Sequence, residues 1–202
     1  MTKGEDTQRR ILDVALKMVS RDGLEQLSIG NLAAETGMSK SGLFAHFGSK
    51  EQLQLAVLNE AEERFLQTVV RPALKAPRGE PRLRMAFERW LDWGNGRSLP
   101  GGCVFVAVAN ELDDRPGPLR DHLVTSQRAW LDTVARMARQ AVEAGHFRPD
   151  IDADQFAFHF YSVILGFHHV SRLLHDPRAE ERLRRAFEGI LTAARHHPEL
   201  SR

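Results

Sequence analysis

An all-α fold is what this sequence predicts: an N-terminal three-helix head containing a helix-turn-helix, then a larger helical body, about nine helices together. Three observations carry that prediction. Residues 28–47 read as two short capped helices joined by a glycine turn. Elsewhere apolar residues recur at steps of three and four, the period of a helix with one buried face. The run 102–112 carries the β-formers Val104, Phe105, Val106 and Val108 and would also suit a buried strand, but the chain offers no second strand to pair with it.

Taken in order, residues 1–6 are polar and predict a disordered start, with Lys3 within reach of a nucleic-acid backbone. A first helix follows over 7–21, its Ile11, Leu12, Ala15, Met18 and Val19 spaced to cover the two short helices, which cannot stand alone. Ser28 is placed to cap the first of these, with Ile29, Leu32 and Ala33 on its inner face, and Gly37 to leave it through a positive φ. Ser39 caps the second, whose Met38, Leu43 and Phe47 face inward while Lys40, Ser41, Gly42 and His46 face out. Ser49 with Gln52 three residues on makes a capping box, opening a long helix that Pro72 should end at Arg71. That helix links the head, residues 1–48, to the body, residues 49–202.

In the body the pattern predicts helices over 82–94, 102–112, 118–144 and 152–175. The last of these is capped by Asp152 and is apolar on more than one face. Asp176 and Pro177 are expected to start the final helix as N-cap and first helical residue.

Composition narrows the function classes. The net charge is +1, and the charges of residues 1–50 nearly cancel, so DNA binding is predicted by where charges sit and not by bulk basicity. Lys40 and Lys50 share one side with Ser28, Ser39, Ser41 and helix N-termini whose amides suit phosphates. The chain has no apolar run of the roughly twenty residues a membrane span needs and no signal-peptide core, so a soluble cytoplasmic protein with no membrane partner is expected. Cys103 is the only cysteine, which leaves no intrachain disulfide and no Cys-rich zinc site. His159, His168, His169 and His175 lack the spacing of a metal site. No GxSxG, phosphate loop, Ser/His/Asp order or paired acids point to an enzyme, and no cofactor or metal is expected.

The stretch 37–53, GlyMetSerLysSerGlyLeuPheAlaHisPheGlySerLysGluGlnLeu, resembles the signature of the TetR/AcrR family of bacterial transcriptional regulators. The likeness covers roughly the first 55 residues. Phe44 stands where the family usually carries Tyr, and His46 where it tends to carry an aromatic, so the hydroxyl at Phe44 is missing here. The segment after ProGlyGlyCys, residues 100–103, is also similar to a subgroup of such bodies. The resemblance implies a homodimer that binds a pseudo-palindromic double-stranded operator through Ser28, Ser39, Lys40, Ser41, Gly42, Phe44, His46 and Lys50. Pairing through the last two helices agrees with their surplus apolar surface, and Phe156, Val163, Phe167, Val170, Phe187 and Leu191 are the expected interface. A largely apolar small-molecule effector is expected against Phe65, Phe87, Trp90, Phe105, Trp130, Met137, Phe160 and His168, moving the linking helix so that the dimer no longer fits DNA. The function predicted is therefore a repressor released by its ligand. The alternative is an activator, or a regulator responding to a protein partner or to oxidation of Cys103.

Overall fold

Helix after helix makes up the computed structural model, which describes residues 3–97 and 99–195. In chain order they are α1 (Lys3–Asp22), α2 (Ile29–Thr36), α3 (Lys40–Phe47), α4 (Lys50–Phe65), a π turn (Leu66–Val70), α5 (Arg71–Lys75), α6 (Glu80–Gly94), α7 (Val104–Leu112), α8 (Pro118–Glu143), α9 (Ala153–Arg172) and α10 (Ala179–Ala194). Because α4, the π turn and α5 run on without a break, the described residues form nine rods, the expected number. Of the run 102–112, Val104–Leu112 is helical and Cys103 is its N-cap, and the one β-type pairing among the described residues is an isolated bridge between Phe147 and Arg195. No helix of the described residues is long and apolar enough to cross a membrane.

Four other boundaries differ from the sequence reading, each for a local reason. The chain is already helical at Lys3, where a disordered start over 1–6 was expected; Asp6 lies in the first turn, where negative charge favours the helix dipole. Residues 1 and 2 lie outside the described residues. Pro72 does not end the long helix at Arg71: the wider π turn just before it absorbs the proline, which sits in the first turn of α5. Pro81 likewise falls in the first turn of α6, which therefore begins at Glu80 and not at 82. Finally, α9 stops at Arg172 and α10 starts at Ala179, so Asp176 and Pro177 form a turn ahead of the helix. There Asp176 accepts the Arg178 N–H at 2.9 Å, a cap-like bond made outside the helix.

The described chain divides into two compact units, Met1–Leu66 with Gly96–Ser126, and Gln67–Asn95 with Gln127–Arg202. In the first, Ile11, Ala15, Leu16 and Val19 bury the inner side of α1, which packs on α2, α4 and α7. The approach to α7 is close. Gly101 N–H donates to the buried Ser20 Oγ at 2.9 Å, and a Cβ at Gly101 would stand 1.5 Å from the Ser20 carbonyl oxygen.

The second unit is built on aromatics. Phe87 stacks on Phe187 with centroids 4.0 Å apart, and Phe160 meets Phe87, Trp130 and Phe187 edge-on. Trp90 meets Phe167 the same way. Around this core α6 and α10 are tied by charge: Glu80 accepts from Arg195 and Arg84, Arg84 pairs with Glu188, and Arg184 with Glu88.

The bond from Arg195, then that from Arg84, holds the Glu80 carboxyl below the usual carboxylate range; Arg84 does the same for Glu188. A carboxyl depressed on folding stabilises the protein above its unfolded pKa near 4.5 and loses that contribution as pH falls through the lower folded value. Unfolding midpoints in urea should therefore hold from pH 7 to about 5 and fall below it. Glu80→Gln should lower stability at pH 7 by about 1–2 kcal/mol and flatten that acid limb.

Candidate nucleic-acid interface

Local chemistry shapes the helix-turn-helix. Ser28 Oγ accepts the Asn31 N–H at 3.1 Å at the N-cap of α2, and Gly37 ends the helix at φ 67°, a conformation glycine adopts without strain. Ser39 Oγ accepts the Gly42 N–H at 3.1 Å and caps α3. Ser49 Oγ accepts the Gln52 N–H at 3.1 Å, the forward half of the expected capping box, while Ser49 N–H donates to the Phe47 carbonyl.

Leu43 and Phe47 are the buried side of α3 and seat it on its neighbours; Met38, ahead of the helix, is half-buried. Lys40, Ser41, Phe44, Ala45 and His46 are exposed, and Gly42 is half-buried. Phe44 is the notable one, since a phenylalanine 58% exposed on a short helix presents an apolar ring to whatever docks there. Lys40 lies along the first turn of α2, its Cε 3.7 Å and its Nζ 3.9 Å from where a Gly30 Cβ would stand. Of the expected DNA-facing residues, Ser39, Lys40, Ser41, Phe44, His46 and Lys50 are exposed, and Ser28 and Gly42 are half-buried. Lys50 does not stand free: its Nζ donates to the Glu25 carbonyl at 2.8 Å, leaving the remaining ammonium protons for another acceptor.

That bond belongs to a group of residues the sequence did not reveal. The loop between α1 and α2, residues 23–27, has its backbone satisfied from four sides. Glu111 of α7 accepts the Leu24 N–H at 2.9 Å and the Glu25 N–H at 2.8 Å, one on each carboxylate oxygen. Gln54 donates to the Leu24 carbonyl at 2.7 Å, Lys50 to that of Glu25, and Asn31 to that of Gln26 at 2.8 Å. Arg115 pairs with the Glu25 side chain and holds that carboxyl below its ordinary range. Partners 86 and 87 residues away along the chain leave no local signature.

The residues expected to line an effector site separate. Phe65 and Phe105 are in the first unit, edge to face at 5.8 Å; Phe87, Trp90, Trp130, Met137, Phe160 and His168 are in the second. All but the half-buried His168 are core residues, and Phe87, Trp130 and Phe160 pack on one another. A polar row was missed nearby: on α8, His122 Nε2 lies 3.4 Å from Glu62 Oε2 of α4, and Ser126 Oγ one turn on is buried without a partner among the described residues. Cys103 is buried at the N-cap of α7.

Of the residues expected at a pairing face, Phe156, Phe167, Phe187 and Leu191 are buried within their own chain, Phe187 at the centre of the aromatic cluster, while Phe167 also reaches the groove between α9 and α10. Val163 and Val170 are half-buried and, with Gly166 and Ala186, line a groove of about 190 Å³ between α9 and α10. On the outer side of α9, opposite its buried stripe, Phe158 is 62% exposed and Leu165 38%.

The family model described as "Tetracyclin repressor-like, C-terminal domain" matches residues 79–187, and "Bacterial regulatory proteins, tetR family" matches residues 11–57. The HTH-type transcriptional repressor AcnR of Corynebacterium efficiens is 29% identical over 174 residues, 85% of this chain and 84% of that protein. A TetR transcriptional regulator from Chloroflexus aurantiacus superposes with a TM-score of 0.83 at 26% identity, over 95% of this chain and 96% of its own. AibR, solved in complex with isovaleryl coenzyme A and operator DNA, superposes with a TM-score of 0.70 at 24% identity, over 92% and 96%.

Proposed function

From the premise that this chain belongs to the tetR family of bacterial regulatory proteins, and so is a DNA-binding transcriptional regulator, we propose that it is a homodimeric repressor released from its operator by a small ligand. The carrying observation is the exposed side of α3. Lys40, Ser41, Phe44 and His46 are left to solvent by a helix whose opposite side, Leu43 and Phe47, is spent on the core. Side chains so presented suit the major groove, and Lys40 over the α2 N-terminus suits a phosphate.

Dimerisation is supported by the outer face of α9 and the groove beside α10, which leave Phe158, Leu165, Val163 and Val170 with apolar surface to cover. Two reading helices related by a dyad meet successive major-groove faces about 34 Å apart, so a small change in their separation breaks register. A route for that change is the unbroken helical stretch 50–75, which begins two residues after the reading helix. The polar row of Glu62, His122 and Ser126, with Phe65 one turn from Glu62, suits a ligand with an apolar body and a hydrogen-bonding end. AibR, solved with both a coenzyme A thioester and operator DNA, offers a precedent for joining the two activities in this fold.

The test uses a duplex enriched from a randomised pool by the wild-type protein. Lys40→Ala should weaken binding about fivefold at 0.15 M salt and reduce the slope of log K against log salt by about 1. Unchanged affinity and slope would remove α3 from the interface.

A further inference from the structure

We propose that Glu111 is a positioning residue for operator reading: from α7 it fixes the α1–α2 loop, and through that loop the start of α2. The proposal rests on the DNA-binding reading above and adds a residue outside the helix-turn-helix. Its two carboxylate oxygens take the two consecutive N–H groups of Leu24 and Glu25. A carboxylate that receives two backbone donors is a charge-assisted, two-point grip, geometrically more demanding than a single bond. The loop is shaped to accept it. Gly23 has φ +89°, and a Cβ there would stand 2.5 Å from Glu111 Oε1, so only glycine lets the carboxylate come this close.

What the grip holds matters for DNA. The next residues carry the Glu25 carbonyl that binds the Lys50 amine, the Gln26 carbonyl that binds Asn31, and Ser28, the cap of α2. Lys50 and Ser28 are expected DNA contacts, so the loop sets the spacing between two DNA-facing points. Gly101 and Ser20 hold the other side of the same junction, fixing the end of α1 against the segment that leads into α7. Any shift of α7 along its axis therefore pulls on the loop, and a loop free of Glu111 leaves two N–H donors to water.

The sign of the effect separates positioning from simple charge. Glu111 is an anion on the Lys50 side of the head, and removing an anion beside a DNA site raises affinity by electrostatics alone. Positioning requires the reverse. With the enriched duplex, Glu111→Ala should bind about tenfold more weakly and Glu111→Gln, which keeps one acceptor, should fall between it and the wild type. Asp114→Asn, which removes a neighbouring exposed charge and no such grip, should bind as tightly as the wild type or tighter.

The measurement is made where urea unfolding shows each variant fully folded, together with amide exchange. Protection of the Leu24 and Glu25 amides should drop at least roughly tenfold in Glu111→Ala. A Glu111→Ala protein that holds the duplex as tightly as the wild type overturns the proposal and leaves Glu111 a structural cap. A wild-type protein that enriches no duplex overturns the reading beneath it as well.

Discussion

Gly101→Val is expected to unfold the N-terminal unit at room temperature, or to leave it so weakened that urea unfolding shows a loss above about 4 kcal/mol, the range reserved for steric and burial defects. A flexible side chain cannot yield here, because the atom met at 1.5 Å is the backbone oxygen of Ser20, inside a helix that is itself packed on α2, α4 and α7. Relief would require α1 to move away from α7, giving up the Gly101 to Ser20 hydrogen bond and uncovering Leu16 and Val19, both fully buried. Gly166→Ala supplies the contrast. A Cβ there meets nothing within 4 Å, and within a helix the change should raise stability by up to about 1 kcal/mol. Equal effects of the two substitutions would refute the account of how α1 is seated.

Gly166 also carries the second large effect. Gly166 and Gly189 lie on α9 and α10, both exposed and both with open space where a side chain would project. Gly166→Arg with Gly189→Arg should therefore fold as well as the wild type and should separate the proposed dimer, since two bulky cations per copy cannot enter a close-packed dyad. Loss of the second half-site contact should then cost about 10² or more in operator affinity. Sedimentation and the enriched duplex give both readouts together. A doubly substituted protein that still sediments as a dimer places the pairing surface elsewhere.

Much of the fold was legible because its signals are local. Ser28, Ser39 and Ser49 each accept an N–H three residues ahead, and Gly37 bends the chain where it stands, so a short window of sequence contains both partners. The buried stripe of α8 was legible for the same reason of period, with Leu123, Trp130, Val134, Met137 and Ala141 all buried. Periodicity says that a face is buried and is silent on what buries it. The period alone does not reveal that Phe187, Phe167 and Phe156 pack on Phe87, Trp90 and Phe147 of their own chain. Pro72 carried a stop signal that a π turn overrode. At the interface, the exposed set on α3 followed from three-residue spacing, whereas Glu111, Gln54 and Arg115 act across the tertiary structure.

The division of the chain has a practical consequence for recombining such regulators. A chimera that grafts residues 1–57 onto a foreign body takes Gly23 and the Leu24 and Glu25 amides but leaves behind the carboxylate that binds them and the glycine that admits α1. Exchange of DNA specificity between relatives must carry the discontinuous stretch 96–126 along, or install an acid and a glycine at the matching places in the recipient.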